Sequence, residues 1–271
     1  MWQTRDMAAP RTARALARAE LTQQIKDEAL RQLGDAGAGE LSLRAISREL
    51  GMVSSALYRY FASRDELLTA LIIDAYADLA DALDAADATF AAPVQATPAA
   101  PRTEPAPPAA QAERWAAAAV TLRDWALAQP HRYSLLYGTP VPGYRAPMET
   151  TVPAERVMLA FFRPLEAAAL AGDPARDVAD ADRRAPAAAD PAQPVGDVAD
   201  AGLNAQLRAA GTLLGPHITP VRLAAGVAAL AQVIGFVTLE IGGHFHGGFE
   251  PADALYAHAI EALTGSLGLV D

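Results

Sequence analysis

"LSLRAISRELGMVSSALYRYFASRDELLTALI", residues 41–72, reads as three helical phrases, and the way the first two are joined decides the fold. Ser42 can offer its hydroxyl to early backbone N–H groups and so is expected to cap a helix, while Leu43, Ile46 and Leu50 recur at helical spacing on its inner side. Gly51 then supplies the residue that a tight turn between two helices needs. On a wheel of about 100° per residue started at Val53, the next phrase divides in two. Ala56, Tyr60, Val53, Leu57 and Phe61 share one arc, expected to pack; Ser54, Ser55, Tyr58 and Arg59 share the other, expected to hydrogen-bond outward. Residues 51–62 contain no Asp or Glu, so a polyanion placed there meets no like charge. Apolar Ile46, Leu50, Met52 and Leu57 around a turn glycine fit a helix-turn-helix, whose second helix can enter the DNA major groove.

Outward from that stretch the charge is unevenly spread. The 271 residues carry a formal net charge of -10, yet the first 64 hold ten Lys and Arg against seven Asp and Glu, a balance of +3. The remainder holds 12 basic and 25 acidic residues, a balance of -13. A basic head is joined to an acidic body. Alanine-rich composition with only 6% aromatics favours an all-α framework. The absence of cysteine excludes a disulfide framework, thiolate metal ligands and a cysteine nucleophile. The first twenty residues have no uninterrupted apolar run, so no secretory signal is expected and the cytoplasm is the expected compartment.

Leu21, Ile25, Ala29 and Leu33 mark a first helix that Gly34 is expected to stop, with "GDAGAGE" as a flexible connector. A long helix follows over residues 65–87, its stripe being Leu67, Leu68, Leu71, Ile72, Tyr76, Leu79 and Leu83. Its acidic residues Asp74, Asp78 and Asp81 are expected to face solvent. Six prolines in residues 91–111 predict a loop, and the Ala/Asp/Pro-rich residues 172–201 predict a mobile segment. Further helices are expected at 113–128, from Pro130, and at 153–170, 203–214, 221–241 and 251–267. The resulting division is a DNA-binding head at 12–64, a connecting helix at 65–90, the loop at 91–111 and a regulatory and dimerisation domain at 112–271. Residues 223–239 are apolar except for Gln232 and Thr238. At 17 residues the stretch is at the short limit of a membrane span, and its Gly, Ala and central Gln read instead as a helix buried against other protein, with no membrane partner.

Residues 41–72 resemble the DNA-binding domain of the tetracycline-repressor (TetR/AcrR) family of bacterial regulators. The shared pattern is an apolar-polar helix, a Gly turn, then Leu-Tyr-x-x-Phe, a basic residue and Glu-Leu-Leu, and the likeness runs from about residue 21 to 83. It implies a cytoplasmic, homodimeric repressor of transcription that binds double-stranded operator DNA. By position, Arg44 approaches the DNA from the first helix of the pair, beside the cap Ser42. Ser54, Ser55 and Ala56 lie at the groove end of the recognition helix, Tyr58, Arg59 and Tyr60 meet phosphates and bases, and Arg64 meets a phosphate. Three positions depart from the family: Ser47 stands in place of a small Ala, Val53 in place of a capping Ser or Thr, and Ser55 where Gly is frequent.

Residues 221–263 also resemble an actinobacterial-type ligand-binding domain, although its usual Trp and His are replaced near Ala231 and Ile234. The family pairs through its last two helices, which implies an interface drawn from Gly226, Ala229, Val233 and Val237 with Leu255, Ala259 and Leu263. It also implies a small hydrophobic or amphipathic ligand in the body. Candidate pocket residues are Trp125, Tyr133 and Tyr137, then Met158, Phe161, Phe162 and Phe236; read without the resemblance, each is an ordinary core aromatic or apolar residue.

His244 and His246 in "GGHFHGGF" point about 200° apart if helical, so they cannot share one ion, and no metal or cofactor is expected. His131, His217 and His258 are scattered. No phosphate-binding Gly loop, dinucleotide motif or Gly-x-Ser-x-Gly appears, so no enzymatic activity is expected. The alternative is a helical small-molecule-binding protein or enzyme carrying a non-functional DNA-binding head.

Overall fold

Caps and close contacts, more than helix-breaking residues, set where the helices begin and end. The computed structural model of the chain describes residues 13–36, 41–90, 108–171, 198 and 200–270. In the head, α1 (Ala13–Ala36), α2 (Leu43–Glu49) and α3 (Ser54–Leu57) close around buried Ile25, Ala29, Ile46, Leu57 and Phe61. The first half of α4 (Arg64–Ala88) completes that core with Leu67, Leu68, Leu71 and Ile72. Its second half carries Leu79 and Leu83 into the core of the body, so one helix belongs to both. The start of α4 is fixed by a reciprocal cap: Ser63 Oγ accepts from the Glu66 N–H at 3.1 Å, and the Glu66 carboxylate accepts from the Ala62 N–H at 2.6 Å.

The body comprises α5 (Pro108–Ala128), α6 (Pro130–Tyr137), α7 (Thr151–Ala171), α8 (Ala201–Leu214), α9 (Pro220–Ile241) and α10 (Asp253–Ser266). α5 and α7 pack along α4, and Trp115, Leu122, Phe161, Phe162 and Leu165 fill the space between them. The Trp115 and Phe161 rings meet edge to face at 5.8 Å. α9 comes close to α7 at Gly226, where a Cβ would lie 2.8 Å from both Leu165 Cδ1 and Phe162 Cε1. Among the described residues all regular structure is helical, the all-α arrangement expected.

Several boundaries differ from expectation. Gly34 does not stop α1, which runs on to Ala36. Its lack of a side chain serves a contact instead, since a Cβ there would lie 2.6 Å from the His131 ring of α6. α5 is already helical at Pro108, inside the stretch expected to be loop. Residues 91–107 and nearly all of the segment expected to be mobile lie outside the described residues. The end of that segment is tied down: Asp200 accepts from the Leu203 N–H at 2.6 Å and caps α8. Finally, α9 is long and apolar enough to cross a membrane by length and composition, but only one of its faces is buried within the chain.

Candidate nucleic-acid interface

The α2–α3 unit is held by its own backbone and three serines. Ser42 Oγ accepts from the Ala45 N–H at 3.4 Å and caps α2 as expected. Gly51 takes φ 63°, the left-handed value that glycine tolerates best, and its N–H reaches the Arg48 carbonyl at 3.1 Å. The Met52 N–H then donates to the Ser47 carbonyl at 2.7 Å, which folds the chain back. Ser47, one of the departures from the family pattern, is 2% exposed. Its hydroxyl donates to the Arg44 carbonyl at 2.9 Å and lies 3.2 Å from the Ser54 hydroxyl, so the buried polar group is satisfied while bridging the two helices.

The recognition segment is tighter and shorter than a regular helix over residues 54–61. After Leu57 the Arg59 and Tyr60 N–H groups bond three residues back, to Ala56 at 3.2 Å and Leu57 at 2.8 Å. Leu57 and Phe61 are buried, Ala56 and Tyr60 half-buried, and Ser54, Ser55, Tyr58 and Arg59 exposed, as the wheel requires. Val53 is a correction: it is 70% exposed and does not belong to the packed arc. It occupies the N-cap with φ -71° and ψ 137°, outside the helix, so a rotation per residue cannot be extended to it. Its side chain makes no capping hydrogen bond. Arg44 and Arg48 are exposed on α2, and Arg64 is half-buried at the start of α4.

One neighbour of this surface escapes the sequence pattern. Arg18, exposed on α1, lies with its guanidinium 5.0 Å from the centre of the Tyr60 ring and donates to the Arg59 carbonyl at 3.4 Å. No local periodicity links positions forty residues apart, and its place in a basic run of α1 is the only hint. Among the described residues, Arg18, Arg44, Arg48 and Arg59 have no carboxylate within ion-pair distance.

The body treats its charges differently. Asp81 is exposed as expected, Asp74 and Asp78 are half-buried, and all three carry partners on other helices or loops. Asp74 pairs with Lys26 of α1 at 2.6 Å, Asp81 with Arg156 at 2.8 Å, and Asp84 with Arg156 and Arg163 at 2.7 and 3.1 Å. Asp78 accepts from Trp125 Nε1 and Gln129 Nε2, both at 2.8 Å, and from Arg132 at 3.1 Å. Partial burial pushes the Asp78 carboxyl up, but these donors outweigh it and hold the group below the usual carboxylate range. Arg123 makes a two-pronged bond to Glu240 at 2.6 and 2.7 Å, reaches Asp253 at 2.8 Å and lies 5.0 Å from the centre of the Tyr256 ring, joining α5 to α9 and α10. Its protonated form is strengthened by the bonds to Glu240 against the opposing effect of burial, with Asp253 adding to it.

The expected pocket residues are dispersed. Trp125 is occupied by Asp78, and the Tyr133 hydroxyl donates to the Ile234 carbonyl at 2.7 Å. Phe161 and Phe162 are core, the latter against Gly226. Tyr137 and Met158 are half-buried at the edge of the same core, where Tyr76 and Tyr133 flank the Tyr137 ring at 6.3 and 5.2 Å. An open groove of about 550 Å³ lies elsewhere, between α9 and α10, lined by Gln232, Gly235, Phe236, Leu239, Tyr256 and Ala259 among others. Of the pocket candidates only Phe236 lines it.

The interface candidates divide between the core and the groove. Gly226, Ala229 and Val237 face the protomer's own core, and Leu255 is half-buried on α10. Val233 and Leu263, themselves buried, form the groove floor with Ala259. The uncovered side of α9 carries Val227, Gln232 and Leu239 instead, a face that helical periodicity could not separate from the buried one because both are apolar. In the loop after α10's predecessor, His246 pairs with Glu250 at 2.7 Å, and no group of three or more His, Asp or Glu that could hold a metal occurs among the described residues.

Head and body meet at α6 and the loop behind it. Beside the His131–Gly34 contact, the Tyr144 and Thr69 hydroxyls lie 2.9 Å apart, and Val141 and Tyr144 pack on the head core.

Two stretches of the chain match known families. Residues 115–263 match the family described as tetracyclin repressor-like, C-terminal domain, and residues 25–71 match the tetR family of bacterial regulatory proteins. Over 162 residues the chain is 46% identical to the HTH-type transcriptional regulators Rv1816 of Mycobacterium tuberculosis (strain ATCC 25618 / H37Rv) and Mb1846 of Mycobacterium bovis. That stretch is 58% of this chain and 61% of each relative, less than two thirds of their length. The crystal structure of SCO4313 superposes with a TM-score of 0.62 at 34% identity, covering 95% of this chain and 100% of the other. A protein of unknown function from Rhodococcus sp. RHA1 shares the fold at a TM-score of 0.54 and 22% identity, over 90% of this chain and 94% of its own. With one family model spanning more than half of the sequence and a second centred on the glycine-turned helix pair, the chain belongs to the tetracycline-repressor family of bacterial regulatory proteins.

Proposed function

We propose that the chain is a cytoplasmic, homodimeric transcriptional repressor that binds double-stranded operator DNA and is released from it by a small hydrophobic or amphipathic ligand. The observation that carries this reading is the set of exposed arginines on and beside α2–α3 that no carboxylate neutralises among the described residues. Phosphate contact supplies much of the affinity of a DNA-binding protein, and hydroxyl and guanidinium groups read base edges in the major groove. Arg44, Ser54, Ser55, Ala56, Tyr58, Arg59 and Tyr60 are the proposed contacts, with Arg64 at the margin and Ser42 acting as a cap.

Pairing follows from α9. Its uncovered apolar side and the adjoining groove suit a second copy of the same two helices, which would set the two recognition segments at half-sites about 34 to 36 Å apart. A ligand entering the body beside Tyr137 and Met158 would act on α4, whose Asp78 is held by donors from α5, from α6 and from Gln129 between them. The coupling expected between ligand and DNA sites is about 1 to 3 kcal/mol. Selection of bound fragments from genomic DNA by the purified protein tests the reading. Recovery of a two-fold related site, lost with Arg59→Ala, is the expected result; turnover of a metabolite with no DNA retained would favour the enzyme alternative.

A further inference from the structure

Arg18 occupies a position that pattern and family resemblance leave unassigned. It rises from α1, yet its contacts are with the end of the recognition segment, at the Arg59 carbonyl and the Tyr60 ring. That end has passed from α-helical bonding into tight turns, and a carbonyl beyond the last helical turn lacks an intrahelical donor. Arg18 supplies one. A guanidinium carries five N–H donors in a planar fork and stacks on aromatic faces. One donor serves Arg59 and one face serves Tyr60, and no carboxylate stands within ion-pair distance of Arg18 among the described residues. Among the described residues the remaining donors are open beside two proposed DNA contacts.

We propose that Arg18 is a positioning residue of the DNA-reading surface that also takes a backbone phosphate: it fixes Tyr60 and Arg59 by stacking and hydrogen bonding, and its free N–H groups grip the phosphate next to theirs. The proposal rests on the contact surface described under the proposed function. It requires both the charge and the planar shape of the side chain. Lysine would keep the first and lose the second.

The test measures binding of the full-length protein to a selected operator duplex and to a scrambled duplex of equal length, at several salt concentrations. Wild type, Arg18→Ala, Arg18→Lys and Arg59→Ala are compared. Arg18→Ala is expected to weaken binding to both duplexes by roughly tenfold and to make the salt dependence shallower by about 0.9 per protomer, close to 2 for a dimer. Arg18→Lys should restore the salt slope while leaving operator affinity severalfold below wild type. Unchanged affinity in Arg18→Ala overturns the proposal. So does weakened binding with an unchanged slope, which marks a structural role alone. If Arg59→Ala is impaired and Arg18→Ala is not, only the Arg18 assignment falls; if wild type retains no duplex, the contact surface falls with it. Thermal unfolding of each variant checks the fold, and Arg18→Gln replaces Arg18→Ala should the alanine variant melt early.

Discussion

The arginines of the body and those of the proposed DNA-reading face are used in opposite ways. Arg114, Arg123, Arg132, Arg156 and Arg163 each lie against a carboxylate, four of them against the acidic side of α4. Arg18, Arg44, Arg48 and Arg59 lie against none among the described residues. Arg145, in the loop after α6, is exposed with no carboxylate within ion-pair distance among the described residues, and so is an exception on the body side. A charge that is paired inside the chain contributes to holding helices together; a charge left open on the surface is available to a partner. Net charge alone, at -10, conceals this division.

Removing a body arginine should therefore unfold, and removing a face arginine should only unbind. The largest expected effect is Arg123→Ala. Arg123 is 8% exposed, and its loss leaves Glu240 without its two-pronged partner in a site only 13% open to solvent. A cost of about 3 kcal/mol is expected, lowering the melting temperature by roughly 6 to 12 °C in a calorimetric scan. A change below about 2 °C would place Arg123 with the dispensable surface charges.

Next in size is the reverse case. Ser55→Asp puts a carboxylate into a stretch that has none and beside Arg59, and should weaken operator binding by about 10- to 100-fold in a mobility-shift titration. Its melting temperature should stay within about 2 °C of wild type, since Ser55 is exposed. Equal loss of stability and binding would erase the contrast between the two regions.

A smaller effect is expected at Asp78. Its folded-state carboxyl is held below the ordinary value of 3.8, so the stability it contributes is present above about pH 4 and is lost as pH falls through the folded value. Asp78→Asn should flatten the acid limb of a stability-against-pH curve and leave the curve near neutral pH only slightly lower. An unchanged acid limb would show that the latch on α4 is no more than a surface pair. The smallest change is expected for Arg145→Ala, under about 0.5 kcal/mol in stability.

Much of this architecture was legible in the sequence because its signals are local. Ser42 as a cap, Gly51 at a positive φ, and the buried pair Leu57 and Phe61 all follow from residues within one or two turns of each other. The failures share a different cause. Gly34 looked like a helix stop because the His131 ring it accommodates is almost a hundred residues away. Asp74 and Asp78 read as solvent-facing but are half-buried, their partners on α1, α5 and α6 and at Gln129 being distant in sequence, whereas Asp81 is exposed as expected. Val53 was misplaced for a geometric reason, since it is the residue before the helix and not part of it. On α9, alanine, glycine and valine occur on every side, so hydropathy could not distinguish the face packed on Phe162 and Leu165 from the uncovered one. Arg18 combines both difficulties, being distant in sequence and unremarkable in a basic helix.

If the arginines without a carboxylate partner form a phosphate-binding surface, the salt dependence of DNA binding reveals it. Four such arginines per protomer give eight in a dimer, so the logarithm of affinity should fall with the logarithm of salt concentration at a slope of about -7, if each takes one phosphate. Arg59→Ala should make that slope shallower by close to 2. A slope flatter than about -2, or one that Arg59→Ala leaves unchanged, would show that these arginines do not bind phosphate.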